Sequence, residues 1–64
     1  MTLREYILRR HRRVAREFWD EERSARYIAA ELQLETRDRW HSNVDTCNEA
    51  VEECIRREGK RRRK

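Results

Sequence analysis

The sequence predicts an all-α protein, and three observations carry that prediction. Residues 2–34 contain neither glycine nor proline. They hold one apolar stripe: at about 100° per residue, Leu3, Ile7, Val14, Phe18, Ala25, Ile28, Ala29 and Leu32 share roughly a quarter of the helix circumference. A second stripe of Val44, Cys47, Val51, Cys54 and Ile55 repeats the pattern nearer the C-terminus. The expected architecture is a helical hairpin, with a long first helix and a shorter second one, that dimerises into an antiparallel helical bundle.

The first helix opens on Thr2-Leu-Arg-Glu5, which has the spacing of a capping box. Glu5–Arg9, Arg13–Glu17, Arg16–Asp20 and Glu22–Arg26 lie four residues apart, and each pair favours helix by about 0.2–0.5 kcal/mol. Arg10 and Glu21 interrupt the stripe near its centre. Buried unpaired charge is costly, so either the helix edge is open there or the two find partners, as Arg10 of one chain and Glu21 of another could in an antiparallel dimer. Ser24 offers an alternative helix start, and Ser24–Leu34 resembles a helix-turn-helix through Ile28, Ala29, Leu32 and Leu34. That likeness departs at Gln33, where a turn glycine is usual, and at Arg39, where an apolar residue is usual. The stripe favours one long helix, or one with a kink near Ser24.

Glu35–His41 is polar, fits neither stripe and is the expected turn. Ser42-Asn-Val-Asp45 supplies a second cap with an acid in the first turn. Helix 2 is expected over about residues 42–58, with Trp40 packed at its start and Gly59 as a C-terminal stop. Residues 1–59 then form a single helical domain, and 60–64 a disordered basic tail. In plan this resembles the Rop-type plasmid copy-number regulators, two-helix chains that dimerise into four-helix bundles and bind RNA. The likeness is one of length, helix count and scattered positions such as Cys54 and Gly59; the heptad phases differ.

Composition narrows the function. A chain of 64 residues is one small domain, and such chains bury only about 60% of their unfolded surface. A partner chain is therefore expected to cover Leu3, Ile7, Val14, Phe18, Trp19, Ile28, Leu32, Val44, Cys47, Val51, Cys54 and Ile55. The formal charge is +4, from 17 basic and 13 acidic residues, and fifteen of the basic ones are arginine. Arginine's planar fork suits phosphates, although an arginine-rich proteome gives the same count without any function.

Arg9, Arg12, Arg13, Arg16 and Arg23 lie opposite the stripe, Arg37 and Arg39 sit in the expected turn, and Lys60, Arg61, Arg62, Arg63 and Lys64 form the tail. Together they suggest a non-enzymatic regulator that binds DNA or RNA through phosphates rather than base edges. The plainer account is a solvated, salt-bridged face. The competing class is a protein-interaction module or inhibitor with an acidic protein partner, because Trp19, Tyr27, Leu8 and Leu34 fall off the stripe and aromatic residues beside arginine build hot spots.

Catalysis has little support, since two short helices rarely enclose a nucleophile, a base and an oxyanion site. No cofactor, metal or small-molecule substrate is expected: His11, His41, Cys47 and Cys54 lack chelating spacing, and the acids Glu17, Asp20, Glu21 and Glu22 have arginine neighbours. Cys47 and Cys54, seven apart on one helix face, stand about 10 Å apart, too far to bridge each other. They read as reduced core thiols. No signal peptide or membrane segment is visible, so a cytoplasmic (or nuclear) protein is expected.

Overall fold

The computed structural model describes residues 1–62, all-helical and without strands among them. Helix α1 spans Leu3–Leu8, α2 spans His11–Ala15 and runs directly into a π-helical turn over Arg16–Asp20, α3 spans Ala25–Trp40, and α4 spans Val44–Arg62. The expected first helix is therefore not one rod. It breaks twice, at Arg9–Arg10 and at Glu21–Ser24. These are the places where charge interrupts the stripe, and a straight helix would have carried Arg10 and Glu21 inward.

Each break is closed by local hydrogen bonds. Thr2 caps α1 through Oγ1, which accepts from the Glu5 amide at 3.1 Å. At the first break the Arg10 amide bonds the Ile7 carbonyl at 2.9 Å, a tighter turn than an α-helix makes. Side chains meet the carbonyls this exposes: Arg10 Nη1 donates to the Tyr6 carbonyl at 3.3 Å, and His11 Nδ1 lies 3.3 Å from the Leu8 carbonyl. At the second break the Glu21 amide reaches the Arg16 carbonyl at 3.0 Å and Arg23 reaches Glu17 at 2.9 Å. Glu22 takes a left-handed φ of 55°. Ser24 then starts α3, accepting from the Tyr27 amide at 3.1 Å. The alternative start at Ser24 is the one the chain uses, but α3 passes Gln33 without a turn, so no helix-turn-helix forms there.

The breaks fold the long stripe back on itself. Ile7, Val14, Ile28, Ala29 and Leu32 close around Cys47, Ala50, Val51 and Cys54 of α4 in one core, every member at most 2% exposed. Leu3, Phe18, Val44 and Ile55 pack against its edge, and Trp19 is half-buried. The residues expected at a partner interface thus form the chain's own interior. Helix α4 makes this possible by packing against α1, α2 and α3. The two-helix plan shared with Rop-type regulators does not describe this arrangement.

Two boundaries also move. The expected turn, Glu35–His41, is helical as far as Trp40 because its side chains are held from outside: Arg13 grips Glu35, Tyr6 packs on Trp40, and buried Thr36 lies 2.8 Å from Ser42 Oγ. The real turn is His41–Asn43, with His41 left-handed at φ 49° as the αL cap of α3. Ser42 belongs to that turn, donating to the Gln33 carbonyl at 3.1 Å, and Asn43 caps α4 by accepting from Thr46 at 2.8 Å. Gly59 does not stop α4, which continues through Lys60 and Arg61 to Arg62. Arg63 and Lys64 lie outside the described residues.

Candidate nucleic-acid interface

The arginines expected on one face divide into structural members and free ones. Arg13 is the clearest structural case. Its guanidinium bonds both Glu35 oxygens, at 3.0 and 2.6 Å, while Nε reaches Glu17 Oε2 at 2.9 Å. The bidentate bond to Glu35 raises the arginine's proton affinity further and holds the Glu35 carboxyl below its ordinary value. Arg13 is a strut between α2 and α3, and no fork is left over for a phosphate. Arg23 is similarly committed: Nε bonds Glu21 at 3.0 Å, and the guanidinium lies over the Tyr27 ring at 4.8 Å. Glu21, which could have met another chain's Arg10, is taken by Arg23 and by Arg16 at 3.2 Å.

Glu17 sits at the centre of this network, 5% exposed, in the π-helical turn. Burial pushes its carboxyl up, but bonds from Glu31 and Arg13 outweigh that and leave it below the ordinary range. Glu31 goes the other way. Its contact with Glu17, and then burial, raise it, and its Oε1 is buried without a donor. Two carboxylates set against each other repel, so the fold favours the protonated form of Glu31 over its charged one.

The cations without a carboxylate partner lie elsewhere. Among the described residues, no ion pair involves Arg9, Arg12, Arg37, Arg39 or Lys60, and all are exposed. Tyr6 of α1 meets Trp40 of α3 with ring centroids 5.2 Å apart, and Arg9, Arg37 and Arg39 each stand within three residues of one of these rings. The same contact brings in Arg10, whose guanidinium lies 3.6 Å from the Tyr6 centroid. Arg39 lies over Trp40 at 4.5 Å, and the indole Nε1 donates to the Met1 carbonyl at 3.3 Å. The end is an alternation of aromatic rings and guanidiniums, with Glu5 and Asp38 the exposed acids of the same turns.

The second basic grouping is where α2 and the π turn run beside the end of α4. His11 Nε2 is 3.6 Å from Glu58, Arg61 pairs with Glu58 at 3.2 Å, and Arg62 lies over Trp19 at 4.8 Å. A groove of about 180 Å³ opens here between Leu8, His11, Cys54, Arg57, Glu58 and Arg61. Its thiol is no nucleophile, because burial pushes Cys54 up to about 11 and keeps it protonated at neutral pH.

Tyr6, Arg10 and Trp40 were not among the expected contacts. Their trace in the sequence was local: Trp40 beside Arg37 and Arg39, and Tyr6 four residues before Arg10. Among the described residues no helix is long and apolar enough to cross a membrane. Comparison with known proteins returns no matching family, curated protein or solved structure.

Proposed function

We propose that the protein is a small non-enzymatic regulator that binds nucleic acid through phosphates. The observation that supports this most is that, among the described residues, the exposed Arg9, Arg12, Arg37, Arg39, Lys60 and Arg62 have no carboxylate partner. Most of the other described arginines have found acids, and an unneutralised group of guanidiniums holds phosphate at little cost in lost ion pairs. Arg16 and Arg61 are paired with Glu21 and Glu58 and stand outside this set.

Fluorescence anisotropy with duplex DNA and with a structured RNA, repeated at rising salt, tests the reading. Binding at low salt that falls steeply as salt rises is expected. Joint replacement of Arg9, Arg12, Arg37 and Arg39 by alanine should weaken it at least tenfold while helicity and melting temperature stay near wild type. No binding to either nucleic acid at low salt overturns it.

A second reading is a protein-interaction module, including self-association into a dimer or contact with an acidic partner. It is favoured by Tyr27 and Leu34, 49% and 61% exposed on the outer side of α3. Solution mass measured for the wild type and for Tyr27→Ser/Leu34→Ser separates this surface from the arginines.

A further inference from the structure

Resting on the nucleic-acid reading, we infer that the Tyr6–Trp40 end is a stacking site for one unpaired nucleotide of a single strand. Trp40 is half-buried, pinned by its Nε1 bond to the Met1 carbonyl and by the Tyr6 ring, so its plane is fixed before any ligand arrives. What lies over the ring is the guanidinium of Arg39, an exposed and otherwise unpaired side chain. A solvent-exposed cation–π contact is weaker than stacking of a base on an aromatic ring. A base therefore displaces Arg39 from Trp40, and the released guanidinium is left beside the strand's own phosphate. Arg9, Arg10 and Arg37, each within one helical turn of Tyr6 or Trp40, supply the remaining positive field.

The other tryptophan shows why this end is singled out. Trp19 is also covered by an arginine, Arg62, but Phe18 abuts it edge-on at 5.0 Å and Gly59 of α4 lies against it. Its neighbouring cations, Arg16 and Arg61, already pair with Glu21 and Glu58. Trp40 has the planar face and the free cations together.

The test uses the full chain carrying Trp19→Phe, which leaves Trp40 as the only indole, titrated with short oligo-dT, oligo-rU and a blunt DNA duplex. Quenching of Trp40 emission by the single strands, with little change for the duplex, is expected. Trp40→Leu should lower single-strand affinity about tenfold, with Trp40→Phe restoring most of it. A preference between oligo-dT and oligo-rU assigns the strand chemistry. Single-strand binding with unchanged Trp40 emission overturns the stacking site and leaves the phosphate reading standing; absence of binding to all three probes overturns both. Should Trp40→Leu fail to fold, the emission titration and Trp40→Phe still decide the question.

Discussion

Two regions of this molecule both carry arginine and differ in what surrounds it. At the α2–α3 contact, Arg13 and Arg23 face Glu17, Glu21 and Glu35, and the charges close on one another. At the Tyr6–Trp40 end, Arg9, Arg10, Arg37 and Arg39 face aromatic rings and solvent. Arg12 and Arg13 are sequence neighbours, the first exposed without an ion pair and the second closed on Glu17 and Glu35. The difference teaches that arginine content identifies no site by itself; what counts is whether the fold brings a carboxylate within reach.

The sharpest way to break the comparison is to remove one arginine from each kind. Arg13→Ala leaves Glu17 buried and Glu35 unpaired, and should destabilise the fold by about 2 kcal/mol, less than a fully buried pair would lose because Arg13 is partly exposed. Arg12→Ala should change stability by less than about 0.5 kcal/mol and yet reduce nucleic-acid affinity. Thermal melts and anisotropy on the two variants check this; equal stability losses would erase the distinction.

Acid probes the neutralised region more finely. The lowered Glu35 and Glu17 contribute stability that is present above the ordinary carboxylate range and is lost as pH falls through their lowered values. Glu31 has the opposite sign: the fold favours its protonated form, so its contribution is full in acid and declines as pH rises through its raised value. Glu31→Gln holds that position neutral and can donate to Glu17. At pH 7 it should stabilise by about 1 kcal/mol, with the gain vanishing in acid, where wild-type Glu31 is protonated anyway. Denaturant titrations at several pH values read this directly, and a pH-independent difference would show that no proton is shared.

The smallest expected effect is at Gly59. A Cβ there would meet only the Trp19 ring, at 3.9 Å, an ordinary contact. Gly59→Ala should add about 0.5–1 kcal/mol by restoring helix propensity in α4. It should leave affinity unchanged if Trp40, and not Trp19, carries the contact; a melt and one binding curve suffice.

Much of the fold was legible before any coordinates. The all-α class, the Thr2 cap and nearly every core residue follow from helical periodicity, which is local and is written into each stretch of chain. The charges at Arg10 and Glu21 marked the two breaks, although they read as an ion pair between chains. That reading failed because a rigid helix was assumed: the chain instead kinks where charge would enter the core, and α4 then covers the seam that seemed to need a second subunit. The polar stretch 35–40 read as a turn because what keeps it helical comes from Arg13, Tyr6 and Ser42, each remote or across the bend.

By itself, then, the sequence determined that the chain is helical, which residues are apolar enough to be buried, and that it carries an excess of arginine. Only the tertiary structure decided which arginines are occupied, because the partner of Arg13 lies 22 residues away at Glu35 and the partner of Tyr6 lies on another helix at Trp40. Helix formation depends on neighbours a few residues apart, whereas charge neutralisation depends on whichever side chains the fold happens to set within hydrogen-bonding distance.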